Sequence, residues 1–523
     1  MRNTKPVPVK PHGIVKDIEE TELAPDKWSD GRNVYFQHGA ALRTPGEGQF
    51  ANTGRLYPVD VHQFVDNGVA QYWVYAAATT GAAVGIGVTD GLVHYDITPA
   101  GWPAISSPKA VLTIGIINNL VWINHPEFGP YWWDGDVTHD MAMLPGWPAG
   151  NSCKVMRTHK EWLMALCIDD TALGLVEGMV QWSSSSGTGI PQFWVPSPTN
   201  DAGDKIFSEV GGPLIEGISV RDQFFVSKPG FTGILQYVGG QFVFAARDLF
   251  PSLGCLATGA ATEAGNIVYM LTGDMQFVKH DGTTYQNVLY AQMQDYLRQV
   301  INAEFPTSVR VWRDDALGQV MIGYPTSTSK LCNEAISFEV ATGDCGIRDL
   351  PMISHVARGS VSVVQVGWDA AVGPWDTDPD IWNQDVSGYQ PEQVVFAAAG
   401  QGMLQQGSAE TFWQAGAPIA VHSWLTRSGI TLDTWSDRKT LTGARPLLEA
   451  AIGTVVNFRF GGQEVIDGPT ELTGLLPYAV GTQKKLDFFL DATLLYVGLD
   501  VVGGAPWKYS GVVMDARVSG TSA

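Results

Sequence analysis

The sequence predicts an all-β protein: a β-propeller-like body of antiparallel meanders, one amphipathic helix and a C-terminal β region. Three observations carry that prediction: recurring apolar strands, glycine turns between strand-like runs, and a composition rich in aromatics but poor in charge. Trp alone occurs 18 times and Gly 59 times, while charged residues are only 16% of the chain. Such a mix suits sheets with many tight turns better than helical bundles. With apolar residues at 45% of 523 positions, there is enough to bury a large core and more than one domain.

The apolar strands are Tyr72–Ala76, Leu120–Ile123, Trp162–Leu166, Phe224–Val226, Ile267–Leu271, Val320–Tyr324 and Val394–Ala398. Their mean spacing is about 54 residues, near the roughly 50-residue period of kelch-like blades. Between strand-like runs stand Asp90-Gly91, Asp134-Gly135, Gly239-Gly240 and Asp281-Gly282. Such dipeptides suit type I′ hairpins, in which both central residues need positive φ. Successive hairpins make meanders, and a closed ring of them removes long unpaired edges.

One stretch breaks the period-two pattern. Leu289, Met293, Tyr296, Leu297 and Val300 share a helical face, and Pro306 ends the run. The spacing predicts a helix over Leu289–Ala303 packed on the β body. Pro6, Pro8 and Pro11 make residues 1–20 an extended arm, either a free tail or a docking strand for a neighbouring subunit. The body is expected over 21–420, and 421–523 as a closing blade or a small C-terminal β domain.

No catalytic, cofactor-binding or metal-ligating residue is expected. There is no G-x-S-x-G elbow, and Ser183–Ser186 reads as a loop. Gly85-Ile86-Gly87 lacks the third glycine of a dinucleotide fingerprint. The five cysteines (Cys153, Cys167, Cys255, Cys332, Cys345) form no CxxC pair. Thiols are expected, although Cys332 and Cys345 flank a hairpin and could face each other. Asp376, Asp378 and Asp380 alternate as in calcium loops, without the central Gly and distal Glu of an EF-hand. They read as a solvated loop beside Trp375 and Trp382. No 18-residue apolar run occurs, which argues against membrane insertion. The net charge of −21 disfavours binding nucleic acid through its phosphates.

Three stretches, in order, resemble a known family. The first is Leu23-Ala24-Pro25-Asp26-Lys27-Trp28-Ser29-Asp30-Gly31-Arg32-Asn33-Val34-Tyr35-Phe36, with Gly39 and Arg43-Thr44-Pro45-Gly46. The second is Val180-Gln181-Trp182-Ser183, then Phe193-Trp194-Val195-Pro196 and Asn200-Asp201-Ala202-Gly203-Asp204. The third is Ile234-Leu235-Gln236-Tyr237-Val238-Gly239-Gly240, then Phe242, Phe244, Gly254 and Met275–Gly282. Together they resemble the tail nozzle, or packaged-DNA stabilisation, proteins of short-tailed bacteriophages. The resemblance covers most of residues 20–350. It implies a virion structural protein at the distal end of the portal–adaptor channel, assembled in the host cytoplasm. It further implies a ring of copies, a hexamer in known nozzles, with tail fibres or tailspikes as neighbours. Packaged DNA would pass through the lumen without specific binding. The family carries no catalytic residues to transfer. Within the first stretch, Trp28 is expected in the core, with Asp30 and Arg32 pairing or capping a turn. Trp182 and Trp194 are expected as core aromatics of one blade. The competing expectation is a tail-associated module that binds host glycans through exposed Trp and Asp, around Trp375 and Trp382.

Overall fold

The computed structural model describes residues 5–51, 57–66, 70–78, 84–91, 93–103, 111–240, 243–359, 392–407, 411–414, 417–432, 436–465, 468–503 and 505–521. The chain is all-β among these residues, with its α-helix at Gln294–Val300. Five four-stranded meanders follow one another along the chain. Blade one is Tyr57–Asp66, Ala70–Ala78, Val84–Thr89 and His94–Asp96. Blade two is Thr113–Ile117, Leu120–His125, Gly129–Trp133 and Ala142–Met143. Blade three is Ser152–His159, Trp162–Asp170, Gly174–Trp182 and Gly203–Ile206. Blade four is Glu216–Val220, Gln223–Lys228, Phe231–Tyr237 and Phe244–Phe250. Blade five is Ala261–Ala264, Ile267–Leu271, Phe277–His280 and Tyr285–Asn287.

Two further blades share one long strand. Arg310–Asp314, Gln319–Tyr324, Cys332–Glu339 and the first part of Cys345–Gly359 make blade six. That strand bends after Pro351, where Met352 takes φ +53°. Its second part then starts blade seven, with Gln393–Ala398, Gly402–Gly407 and Gly46–Ala51. The first strands of successive blades lie side by side from blade one to blade six, and blade seven returns to Tyr57–Asp66. The meanders therefore close into a propeller-like ring. Its last strand, Gly46–Ala51, comes from the N-terminal part of the chain.

Each of the seven apolar strands named from the sequence is the second strand of a blade. That position is paired on both edges and covered on both faces, which explains the unbroken apolar runs. The turns differ from expectation. Thr89 pairs with His94 and His280 with Tyr285, so the Asp90-Gly91 and Asp281-Gly282 turns hold four residues rather than two. Among their described residues only the glycine has positive φ, +98° at Gly91 and +89° at Gly282. The aspartate instead caps the turn, with Asp281 Oδ1 accepting from the amides of Thr283 and Thr284 at 2.8 and 2.9 Å. Asp134-Gly135 opens a longer loop to Ala142. Gly239 and Gly240 both take the expected positive φ, +70° and +75°, within a longer loop between Tyr237 and Phe244. Two-residue hairpins with positive φ at both positions sit at His38-Gly39, Asn118-Asn119 and Gly265-Asn266.

The chain after Val421 builds a sandwich of two sheets on the rim of blade six. One sheet orders Asp30–Arg32, His422–Ile430, Leu494–Val502 and Val455–Gln463. The other carries Trp507–Thr521, Asp437–Ala450 and Leu486–Ala492, and the arm strand Lys5–Val9 pairs with Val512–Ala516. Phe458, Phe460, Leu441, Val497 and Met514 are buried between them. The hairpin Val34–Gln37/Ala40–Arg43 links the bodies, pairing with Ile347 on one side and Tyr509 on the other.

The helix is shorter than the expected Leu289–Ala303. Ala291 takes φ +54°, which stops helical winding before Met293. Asp17 of the arm caps the start, accepting from the amides of Asp295 and Tyr296 at 2.9 Å each. The stripe still faces the core, with Leu289, Met293 and Leu297 fully buried.

The ring closure rests on a sealed ion pair. Arg348 Nη2 donates to Glu47 Oε1 at 2.8 Å, with both side chains at most 2% exposed. Arg348 Nη1 reaches Gln406 at 2.6 Å, and Phe396 and Phe412 flank the guanidinium. Arg348→Met removes the partner of a buried carboxylate. It is expected to lower unfolding free energy by about 3–5 kcal/mol in urea titrations. Arg298→Ala, at an exposed pair, is expected to change it by less than about 1 kcal/mol.

Candidate functional site

The first strands of the blades surround a polar hub. Arg157 of blade three, Glu216 of blade four, Arg310 of blade six and His355 of blade seven line a cavity of about 280 Å³. Gly217, Ser219, Gly259, Thr262 and Trp312 complete much of its wall. Arg157 grips Glu216 with Nε at 2.9 Å and Nη2 at 3.0 Å, a fork geometry that joins two blades. Glu216 also accepts from the amides of Gly217 at 2.8 Å and Gly259 at 2.6 Å. His355 Nδ1 stands 3.0 Å from Asp60 Oδ1, closing blade seven on blade one. Arg310 is 8% exposed, and its Nη1 donates to the carbonyls of Thr258, Thr307 and Val309.

A serine and a histidine meet beside the hub: His159 Nδ1 lies 2.7 Å from Ser219 Oγ. Nucleophile activation needs the far ring nitrogen oriented by a third group. Here His159 Nε2 is buried without a partner. Burial among Phe224 and Phe244 also holds the imidazole down at about 4, which makes it a weak base at neutral pH. The pair reads as a clasp between blades three and four. All five cysteines are free and buried. Burial pushes Cys255, Cys332 and Cys345 up to about 12, far from thiolate chemistry.

The residues singled out in the sequence fall elsewhere. Trp28 is fully buried, with Nε1 on Lys10 O at 3.1 Å and its ring edge-on to Tyr509. Asp30 pairs with Lys16 at 2.5 Å. Arg32 reaches Glu334 at 2.7 Å and Asp349 at 3.0 Å, and Asn33 bonds Asp349 and the carbonyl of His422. This stretch is the joint between ring and sandwich. Trp182 and Trp194 are both buried, but on opposite sides of blade three, so they serve two clusters. Asp376, Asp378, Asp380, Trp375 and Trp382 lie outside the described residues.

Two open clefts flank the ring. One, of about 470 Å³, is lined by Trp132, Trp133, Asp134, Thr138, His139 and Asp140. A larger one, of about 1120 Å³, runs from Trp182 past Asn200, Asp201 and Asp204 to Phe244. Sequence reading missed the hub, since Arg157, Glu216, Arg310 and His355 are far apart in sequence and share no motif.

No family model matches this chain, and no curated protein does. Among solved structures, the chain is similar to the computationally designed Ika8 protein at 12% identity and a TM-score of 0.36, over 69% of this chain and 99% of that one. It is also similar to the extracellular domain of a protein assigned to the hybrid two-component systems of B. thetaiotaomicron. That match has 9% identity and a TM-score of 0.41, over 89% of this chain and 58% of that one. Both scores are too low to carry an argument about fold or function.

His280 offers a test of burial in the ring. Packed on Phe225 and Phe250, it is held down at about 4 by burial, against 6.5 when free. The unfolded chain therefore takes up its proton first as pH falls. The neutral-state stability is complete above about pH 6.5 and drains toward pH 4, by on the order of 3 kcal/mol. Glu47 acts with the opposite sign, because burial lifts it to about 7 and favours its protonation in the folded state. Comparing His280→Phe with the wild type cancels that contribution. Urea unfolding at pH 7 and pH 4.5 should give a clearly shallower loss in the variant.

Proposed function

We propose that this chain is a non-enzymatic virion structural protein, the wall of a tail nozzle in a short-tailed phage. It would retain packaged DNA and give it a passage at ejection. The observation that carries this reading is the charge of one end of the ring. In an up-and-down blade, the turns between first and second strands and between third and fourth strands fall at the same end. Those turns present Asp90, Asp134, Asp136, Asp140, Glu161, Asp201, Asp222 and Asp281. The lysine and arginine among the described turn residues are Lys160, paired with Asp222, and Arg221, bonded to Asn266. Such an end forms no phosphate contacts and lets a polyanion slide past it.

The hub of one chain is far too small to be that passage. Its cavity of about 280 Å³ holds several waters, whereas the major groove of duplex DNA alone is about 12 Å wide. The reading therefore takes the lumen to lie between copies, in a ring that would be a hexamer by the family resemblance. Portal–adaptor proteins would sit above it and tail fibres or tailspikes beside it. The ordered motifs support the same reading, since the Trp28–Asn33 stretch is the joint that makes ring and sandwich one unit.

Negative-stain electron microscopy of the purified chain, alone and with its portal–adaptor neighbours, should show rings with a central hole wide enough for duplex DNA. Wild-type rings should not retain duplex DNA near physiological salt. The Asp140→Lys/Glu161→Lys variant should retain it in a salt-dependent way. Strong wild-type DNA binding, or a solitary monomer under every condition, would sink the proposal.

The clefts at Trp132–Ala142 and Trp182–Phe244 favour a second reading, a tail-associated glycan-binding module. Each sets Trp beside Asp, a pairing that stacks on sugar rings and accepts from their hydroxyls. Glycan-array binding that is lost in Trp132→Ala would support it. An array with no hits would leave the wall protein alone.

A further inference from the structure

We infer that the hub of the ring binds one small oxyanion, of the phosphate, sulfate or short-carboxylate class, on the open edge of Arg310. The inference stands apart from the nozzle reading. Arg310 Nη1 is fixed by three carbonyls, those of Thr258 at 3.3 Å, Thr307 at 2.7 Å and Val309 at 2.8 Å. Those bonds set the plane of the guanidinium. Its Nε and Nη2 find no acceptor among the described residues, although the side chain lines the cavity. Together these two atoms form the planar fork that matches two oxygens of an oxyanion.

The nearby acids are committed elsewhere. Glu216 is held by Arg157 and by the amides of Gly217 and Gly259, and Asp60 by His355 and the amide of Val61. They attract Arg310 through space without a direct bond to it. Donors of a buried guanidinium left without an acceptor are unfavourable even when acids stand nearby. Arg157 lines the same cavity, its charge matched by Glu216.

The wall is also shaped for this group. Gly259 has φ +83°, and a Cβ there would stand 3.1 Å from Arg310 Cδ and 3.4 Å from its Nε. Glycine thus leaves room for the Arg310 side chain to pass close against the backbone. The space suits an oxyanion with a few waters. It excludes a nucleic-acid strand, so the ligand is a free ion and not a backbone phosphate.

Thermal unfolding in inorganic phosphate, against sodium chloride at matched ionic strength, reads the site directly. The wild-type midpoint should climb with the logarithm of phosphate concentration, as expected for one saturable site. Titration calorimetry should give one phosphate per chain, and a single-stranded oligonucleotide should give none. Arg310→Gln should abolish the climb, while Arg298→Ala, on the exposed helix face, should keep it. Ala261→Leu fills the cavity without removing charge and should also lose the response, which covers the case where Arg310→Gln does not fold. A flat wild-type response, or equal stabilisation of wild type, Arg310→Gln and Ala261→Leu, would overturn the inference.

Discussion

The carboxylate of Glu334 is the point on which the two bodies depend. It is 5% exposed and accepts from Arg32 at 2.7 Å, Tyr296 at 2.9 Å and Tyr324 at 2.6 Å. Those donors come from the N-terminal segment, the helix and blade six. A buried acid is tolerated only when its acceptor sites are filled, so each donor must arrive for the charge to be accommodated. The strand that carries Arg32, Asp30–Arg32, also pairs with Trp424–Thr426 of the sandwich. One carboxylate thereby couples ring, helix and sandwich into a single unit.

The same logic runs around the ring. Arg157–Glu216, Arg313–Glu263, Arg358–Asp315 and His355–Asp60 each bridge neighbouring blades. Such pairs add little net stability, because desolvation offsets the attraction at the buried Glu216 and Asp60 and solvent screens it at the exposed Asp315. Their effect here is on arrangement. Apolar strands of similar length could stack in many orders, but a buried charge meets its partner in one order only. Arg348 and Glu47 carry this furthest, since they lie 301 residues apart and fix which strand completes blade seven.

Much of this was legible in the sequence, and the legible part has one physical source. Second strands such as Trp162–Leu166 and Phe224–Val226 are enclosed on both edges and both faces, so burial alone writes them as apolar runs. First and fourth strands meet solvent or the hub and carry mixed sequences; Ser152–His159 and Gly203–Ile206 give no comparable signal. Turn positions were legible and turn geometry was not. Asp-Gly suits a type I′ hairpin by backbone preference, yet at Asp281 the side chain caps the loop amides and relaxes the turn to four residues. Leu289–Ala303 was read too long because its stripe continues through a turn that Ala291 breaks. The hub was invisible, since a polar residue facing an enclosed axis looks in sequence like one facing solvent.

The acidity of the chain takes a different meaning once the turns are placed. A uniform negative surface would serve solubility alone. Here the hub holds Arg310 beside the Arg157–Glu216 pair in one cavity, while the turn end carries aspartates whose carboxylates are spent on local amides. Asp136 accepts from Thr138 N at 2.9 Å and Asp281 from Thr283 N at 2.8 Å. These carboxylates are lowered by those hydrogen bonds, so they hold their charge into acid. At these positions the aspartate that shapes the turn also supplies its charge. The negative end thus coincides with how the hairpins close, and any passage that such ends line would carry that potential at the turns themselves.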